Sequence, residues 1–110
     1  MATTFNPQSS SVRDTTIVDF LKMRVADIDI KDVPGVGPAL AAKLQEDGVE
    51  TAAQLLGVYL SFVSNNASTE DVCNQFFAYL KEFKSGANCH SPTFAIANYA
   101  DEHGLFTYDV

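Results

Sequence analysis

The residues with the clearest chemistry lie between positions 32 and 44, where Asp-Val-Pro-Gly-Val-Gly-Pro leads straight into Ala-Leu-Ala-Ala-Lys-Leu. Gly35 and Gly37 allow a tight backbone reversal at angles that a Cβ atom would resist. The reversal leaves amides at the start of the next helix, where N–H groups lack helical partners and the helix dipole is positive. Such a helix start suits a phosphate group and reads no base sequence. The pattern is typical of a helix-hairpin-helix turn that binds a nucleic-acid backbone.

A tight glycine turn also joins helices without binding anything, so a purely structural turn is the alternative. Lys43 follows in the next helix and could add a charge-assisted phosphate contact. It could equally be a solvated surface lysine.

The overall charge argues against a nucleic-acid binder. Seven Lys and Arg stand against fourteen Asp and Glu, which gives a formal charge of −7. Nucleic-acid binders usually present a basic patch. The excess of acidic residues runs through both halves of the chain, so no basic domain is hidden within it, although a local basic patch is compatible with these totals.

Catalytic, metal and membrane functions have little support in the sequence. His90 and His103 belong to no recognisable acid–base or metal constellation, and Cys89 is merely a sequence neighbour of His90. Cys73 and Cys89 are too far apart for a disulfide framework or a zinc site, and we expect reduced thiols in a soluble intracellular protein. No apolar run reaches the roughly 18 residues of a membrane span. We therefore expect that the chain is not an enzyme, binds no metal or cofactor, and does not insert into a membrane.

The elements that must position the hairpin are helical. The predicted fold is all-α, a compact bundle of five to six short helices that contains the hairpin motif. Residues 26 to 31 are too short and isolated for a stable strand. Residues 1–11 have little to bury and predict a flexible arm, residues 12–106 a single domain, and residues 107–110 a C-terminal tail. Capping patterns and glycines mark the predicted helix starts at Ser11 with Asp14, Pro38, Thr51 with Gln54, and Ser91 with Pro92, and the predicted ends at Gly48, Gly86 and Gly104.

Beyond the hairpin, four stretches are informative together: Asp19-Phe20, Leu44 to Val49, Leu55-Leu56-Gly57-Val58-Tyr59-Leu60 and Ser85-Gly86-Ala87-Asn88-Cys89. They resemble the barrier-to-autointegration factor family of small chromatin proteins. With the hairpin they cover about residues 14 to 106. The hairpin alone is also similar to the N-terminal domain of archaeal recombinases, but the Leu-Gly-x-aromatic-Leu and Gly-Ala-Asn patterns favour the first family.

The resemblance implies a homodimer that binds double-stranded DNA without sequence preference and bridges two duplexes. It also implies a nuclear protein that organises chromatin and docks LEM-domain proteins across the dimer. It places the dimer interface at Leu56, Gly57 and Leu60. The DNA contacts that it implies are Gly35, Val36, Gly37, Ala39, Lys43, Asn88, Cys89 and His90.

Several cationic positions of the family are neutral in this chain. Thr16, His90 and Thr93 stand where the family has lysine or arginine, and Ala42 replaces a second lysine beside Lys43. Phosphate contacts carry most of the affinity of a non-specific binder, so these losses predict weak, salt-sensitive binding. The alternative is a divergent dimer that has lost strong DNA binding and serves as a protein-interaction module.

Overall fold

The computed structural model describes residues 5–64, 66–83 and 88–109. Within these ranges the chain forms five α-helices and no named strand, which confirms the predicted all-α fold. The helices are α1 Asp14–Lys22, α2 Pro38–Glu46, α3 Ala52–Ser61, α4 Thr69–Phe83 and α5 His90–Glu102. Short 3₁₀ turns lie at Pro7–Ser9, Val25–Asp27 and Ile30–Asp32.

The last helix is the centre of the bundle. α5 packs against α1, α3 and α4, and its middle residues Ala95, Ile96 and Ala97 are almost fully buried. Small side chains along α5 let its neighbours approach closely, while large ones on α3 and α4 fill the remaining space. The largest of these, Tyr59 and Phe76, meet edge to face with ring centroids 5.4 Å apart. Aromatic burial of this kind dominates the stability of a small core.

Two helix starts are formed as the sequence predicts. Pro38 is the first residue of α2, where its missing N–H would be unpaired in any case. α3 opens with a capping box, in which the Gln54 amide donates to Thr51 Oγ1 at 3.2 Å and the Thr51 amide donates to Gln54 Oε1 at 3.2 Å. These signals are local, so they are readable from sequence.

Two other predicted starts are wrong. Ser11 does not cap α1, which begins at Asp14 after Arg13 without a side-chain cap. Ser91 is not the N-cap of α5 either, because the helix already begins at His90 and Ser91 is buried in its first turn. The Ser11 amide donates to Ser91 Oγ at 2.8 Å, so a long-range contact takes both serines away from capping.

The glycines that close helices are confirmed where the structure describes them. Gly48 follows α2 with φ of +89°, and Gly104 follows α5 with φ of +73°. A left-handed residue after a helix favours glycine. Gly86, the predicted end of α4, lies outside the described residues. Residues 26 to 31 form no strand, as predicted. Ile28 is buried between two 3₁₀ turns, and Ile30 is buried at the start of the second.

Both predicted terminal segments contact the helices. The expectation that the first residues have little to bury is wrong at Phe5, whose side chain is 8% exposed. Its amide donates to Asn74 Oδ1 on α4 at 2.9 Å. At the other end, Thr69 Oγ1 donates to the Thr107 carbonyl at 2.5 Å. The mobility of these segments and the domain boundaries remain predictions.

Candidate nucleic-acid interface

The hairpin, residues 32–38, is anchored by its apolar residues. Val33 and Val36 are 1% and 7% exposed, and the Val36 amide donates to the Val33 carbonyl at 3.0 Å. Gly35 between them has φ of +89°. The two valines therefore hold the turn against the core, and the left-handed glycine reverses the chain so that α2 begins at once.

Gly35 also lets the hairpin pack closely against the start of α5. A Cβ atom at Gly35 would lie 2.7 Å from Pro92 Cδ and would overlap the Ser91 side chain. Gly37 differs, because its φ is −82° and a Cβ atom there would meet nothing within 4 Å. The first glycine is thus required by the fold, and the second leaves an open surface at the beginning of α2.

The first turn of α2 presents amides with no protein acceptor. The first backbone bond of the helix runs from the Ala41 amide to the Gly37 carbonyl at 2.9 Å. The amides of Gly37, Ala39 and Leu40 have no hydrogen-bond acceptor among the described residues. Gly37 and Ala39 are exposed. These amides stand at the positive end of the helix dipole, where a phosphate oxygen would be stabilised.

Lys43 lies on the same side of α2 as these exposed residues. It follows Ala39 by four positions, which places the two side chains on one helix face. Lys43 is exposed, and in the part of the chain that the structure describes it makes no ion pair. Its ammonium is therefore available to a ligand bound at the start of the helix.

Arg13 is a cation near the hairpin that sequence reasoning missed. A cleft of about 270 Å³ separates the start of α1 from the turn, and Arg13 lines it opposite Pro34 and Gly35. Arg13 is exposed and, among the described residues, forms no ion pair. The remaining residues of the cleft are Ser11, Val12 and Thr16. The charge count of the sequence includes this arginine. Nothing in the sequence indicates that the start of α1 lies beside the hairpin, which follows α1 in the chain.

The second predicted contact segment, Asn88 to His90, adjoins the hairpin through α5. Asn88 is exposed, and its Oδ1 accepts the His90 amide at 3.1 Å. His90 is half-buried and stacks on Phe77 with ring centroids 4.5 Å apart. Burial, followed by the positive charge of Lys81, lowers the pKa of the His90 imidazole. The ring is therefore held in its neutral form more firmly than a free histidine.

The other members of this segment are less accessible. The Cys89 side chain is fully buried, so only its backbone could face a ligand. Gly86 and Ala87, which belong to the same resemblance, lie outside the described residues. Thr93, at a cationic position of the family, is 0% exposed and donates from Oγ1 to the Cys89 carbonyl at 2.8 Å. Thr93 therefore stabilises the first turn of α5 and cannot reach a bound ligand.

The two thiols are part of the core. Cys73 and Cys89 are free and buried, and burial raises the pKa of Cys73 to about 11. Cys73 Sγ lies 3.8 Å from the Tyr59 hydroxyl. Nowhere in residues 5–64, 66–83 and 88–109 do three or more His, Cys, Asp or Glu side chains cluster as metal ligands would.

Comparison with protein families finds a match over most of the chain. The family model described as Barrier to autointegration factor matches residues 11–98, which include the hairpin, the α1 start and the α5 start. The chain belongs to the barrier to autointegration factor family. No significant match was found among curated proteins or among solved structures.

Membership of the barrier to autointegration factor family supports a DNA- and chromatin-related role for this chain, in a family of non-enzymatic DNA-binding proteins. In the described ranges, no helix has both the length and the apolar character that crossing a bilayer demands.

The residues predicted for a dimer interface lie on α3 and differ in accessibility. Gly57 is exposed, and a Cβ atom there would meet nothing within 4 Å. Leu60 is half-buried, whereas Leu56 is 6% exposed and belongs to the hydrophobic core. Gly57 and Leu60 therefore present the accessible surface of this predicted interface.

Proposed function

We propose that this chain binds double-stranded DNA through its phosphate backbone without sequence preference, and that a homodimer bridges two duplexes in chromatin of the nucleus. The observation that carries the proposal is the start of α2, where exposed amides without protein acceptors stand beside Lys43. Backbone amides and a lysine bind phosphate in any sequence context. Membership of the barrier to autointegration factor family supports the same role.

Arg13 extends this proposed contact to the other side of the turn. It lines the cleft beside Gly35, so a duplex on the hairpin could meet Lys43 and Arg13 together. Each phosphate neutralised adds about −0.9 to the slope of log affinity against log salt. Two such cations predict a slope of about −2, which is shallow for a DNA-binding protein. Weak binding is thus compatible with the −7 charge of the chain.

A mobility-shift titration tests the proposal. Short duplexes of unrelated sequence should shift alike at about 20 mM salt, where charges are little screened, and the affinity should fall as salt is added. The absence of any shift at about 20 mM salt would exclude DNA binding. A shift with only one of the duplex sequences would exclude sequence-independent DNA binding.

A second function, a dimeric protein-interaction module, is favoured by specific observations. The chain carries a net charge of −7, and Thr93 is buried at a position where the family has a cation. Proteins of the LEM-domain type are the proposed partners. If the purified chain is a dimer, shows no DNA shift and binds a purified LEM domain in calorimetry, this second function replaces the first.

A further inference from the structure

Residues 5–11, here called the strap, cross the start of α5 and are hydrogen-bonded there at Asn6, Ser9 and Ser11, the last of which also pairs its hydroxyl with Ser91 Oγ at 3.1 Å. The Asn6 amide donates to His90 Nδ1 at 3.0 Å. Asn88 Nδ2 donates to the Ser9 carbonyl at 3.1 Å. The Ser11 amide donates to Ser91 Oγ at 2.8 Å. Hydrogen bonds at three of its seven residues fix the path of the strap along the first turn of the helix.

Phe5 anchors the far end of the strap. Its side chain is 8% exposed, and its amide donates to Asn74 Oδ1 on α4 at 2.9 Å. The Phe5 ring lies 6.2 Å from the His90 ring, which in turn stacks on Phe77. The strap is therefore held by a buried aromatic side chain as well as by polar contacts.

The strap engages the groups that a nucleic acid would meet at this end of the surface. Asn88 and His90 are predicted DNA contacts, and both bind the strap through their side chains. Ser11 also lines the cleft that Arg13 shares with the hairpin. A phosphate backbone that contacted Asn88 and His90 would compete with the docked strap for these side chains.

We propose that the strap is an autoinhibitory segment that competes with DNA for the α5 side of the hairpin surface. This inference rests on the proposed DNA-binding function. The amides of α2 and Lys43 stay accessible while the strap is docked, so initial contact is possible and full contact requires release. The apparent affinity is then reduced by the fraction of molecules with an open strap.

His90 makes the docking dependent on protonation. A neutral imidazole can accept the Asn6 N–H at Nδ1, whereas a protonated ring donates from both nitrogens and cannot accept. The strap itself has no ionisable side chain, and among the described residues the charged group that acts on His90 is Lys81 of α4. Acid therefore opens the strap and adds a positive charge to the surface that it uncovers.

A substitution in the strap anchor separates docking from DNA contact. Phe5→Ser removes the buried ring without changing the net charge or any proposed DNA contact. Gln8→Ala is the matched control, because Gln8 is exposed and binds within the strap through its backbone amide. Hydrogen exchange of the Asn6 and Ser11 amides measures docking, and titration with a short duplex measures affinity.

We expect slow exchange of both amides in the wild-type chain and in Gln8→Ala, and fast exchange in Phe5→Ser. If the strap is docked in about nine molecules of ten, its release raises the DNA affinity of Phe5→Ser about tenfold. Fast exchange in the wild-type chain would overturn the proposal. If the wild-type chain binds DNA, a Phe5→Ser variant whose strap is released but whose DNA affinity is unchanged would also overturn the proposal. If hydrogen exchange shows that the strap is open and still no variant binds DNA, both the proposed DNA-binding function and the autoinhibitory role of the strap are wrong.

Discussion

At the scale of single residues, Gly35 and Gly37 show what a motif does and does not specify. They lie in the same turn, yet Gly35 alone has a positive φ and a neighbour that excludes a Cβ atom. The sequence indicates a tight turn that binds phosphate but not which glycine serves the fold. That distinction depends on Ser91 and Pro92, more than fifty residues away, and sequence spacing gives no access to it.

Alanine at the two glycines should therefore have unequal effects on stability. Gly35→Ala should lower the free energy of unfolding by about 2 kcal/mol or more, because alanine must adopt the left-handed conformation of this position and its Cβ atom would overlap α5. Gly37→Ala, in open space at an ordinary φ, should change it by less than about 1 kcal/mol. Urea denaturation of both variants checks this. Equal losses would contradict the packing described for Gly35.

Removal of one cation at the hairpin should change the salt dependence of DNA binding. Lys43→Gln and Arg13→Gln should each make the slope of log affinity against log salt shallower by about one. Lys22→Gln, at the far end of α1, is the matched control with the same charge change. Fluorescence anisotropy with labelled duplexes at several salt concentrations gives the slopes. If the control lowers the slope as much as Lys43→Gln, the effect is one of net charge rather than of a phosphate contact.

At the scale of elements, local signals predict structure well and long-range contacts do not. The capping box at Thr51 and the proline at the start of α2 are confirmed because every participating atom lies within one turn. Ser11 and Ser91 carry the same kind of signal but bind each other across the fold. The docking of the strap was not predicted for the same reason. Its polar composition indicated a free arm, whereas the site that holds Phe5 is formed by α4 and α5, far along the chain.

The docking of the strap should depend on pH through His90. The neutral His90 ring accepts the Asn6 N–H, and burial and Lys81 lower the pKa of His90, so docking is fully stabilised above the ordinary pKa of about 6.5 and this stabilisation is lost as the pH falls below it. Lys81→Gln removes one cause of the lowered pKa and should shift the opening of the strap to higher pH. NMR titration of the His90 ring together with the Asn6 amide measures both. A ring that titrates without any change at Asn6 would contradict the link.

At the scale of the whole molecule, the sequence specifies the fold class and the family, but it leaves the assembly and the strength of binding open. The net charge of −7 is a sum over the chain, whereas binding depends on where Lys43 and Arg13 lie relative to one helix start. The structure brings these cations to the hairpin and takes Thr93 out of reach. A total charge cannot reveal either placement.

A charge in the middle of the α3 surface tests the proposed dimer. Gly57 is exposed and has open space around it, so Gly57→Glu should fold normally while two carboxylates repel each other across a two-fold interface. Ala78→Glu, at an exposed position on α4, is a control for added charge. Solution scattering should give a dimer for the wild-type chain and a monomer for Gly57→Glu. Bridging of a labelled duplex to an immobilised one should be lost with the dimer, and a wild-type monomer would contradict this assembly.

The most direct test of the central claim places a carboxylate among the amides at the start of α2. Gly37→Glu is compatible with the fold, because a Cβ atom there meets nothing within 4 Å. Gln45→Glu adds the same charge to the same helix about 12 Å further along, slightly more than one Debye length at about 100 mM salt. We expect Gly37→Glu to lower duplex affinity at least about tenfold, a loss of about 1.4 kcal/mol, and Gln45→Glu to lower it less than about threefold. Equal affinities for the two variants would contradict a phosphate site at the hairpin.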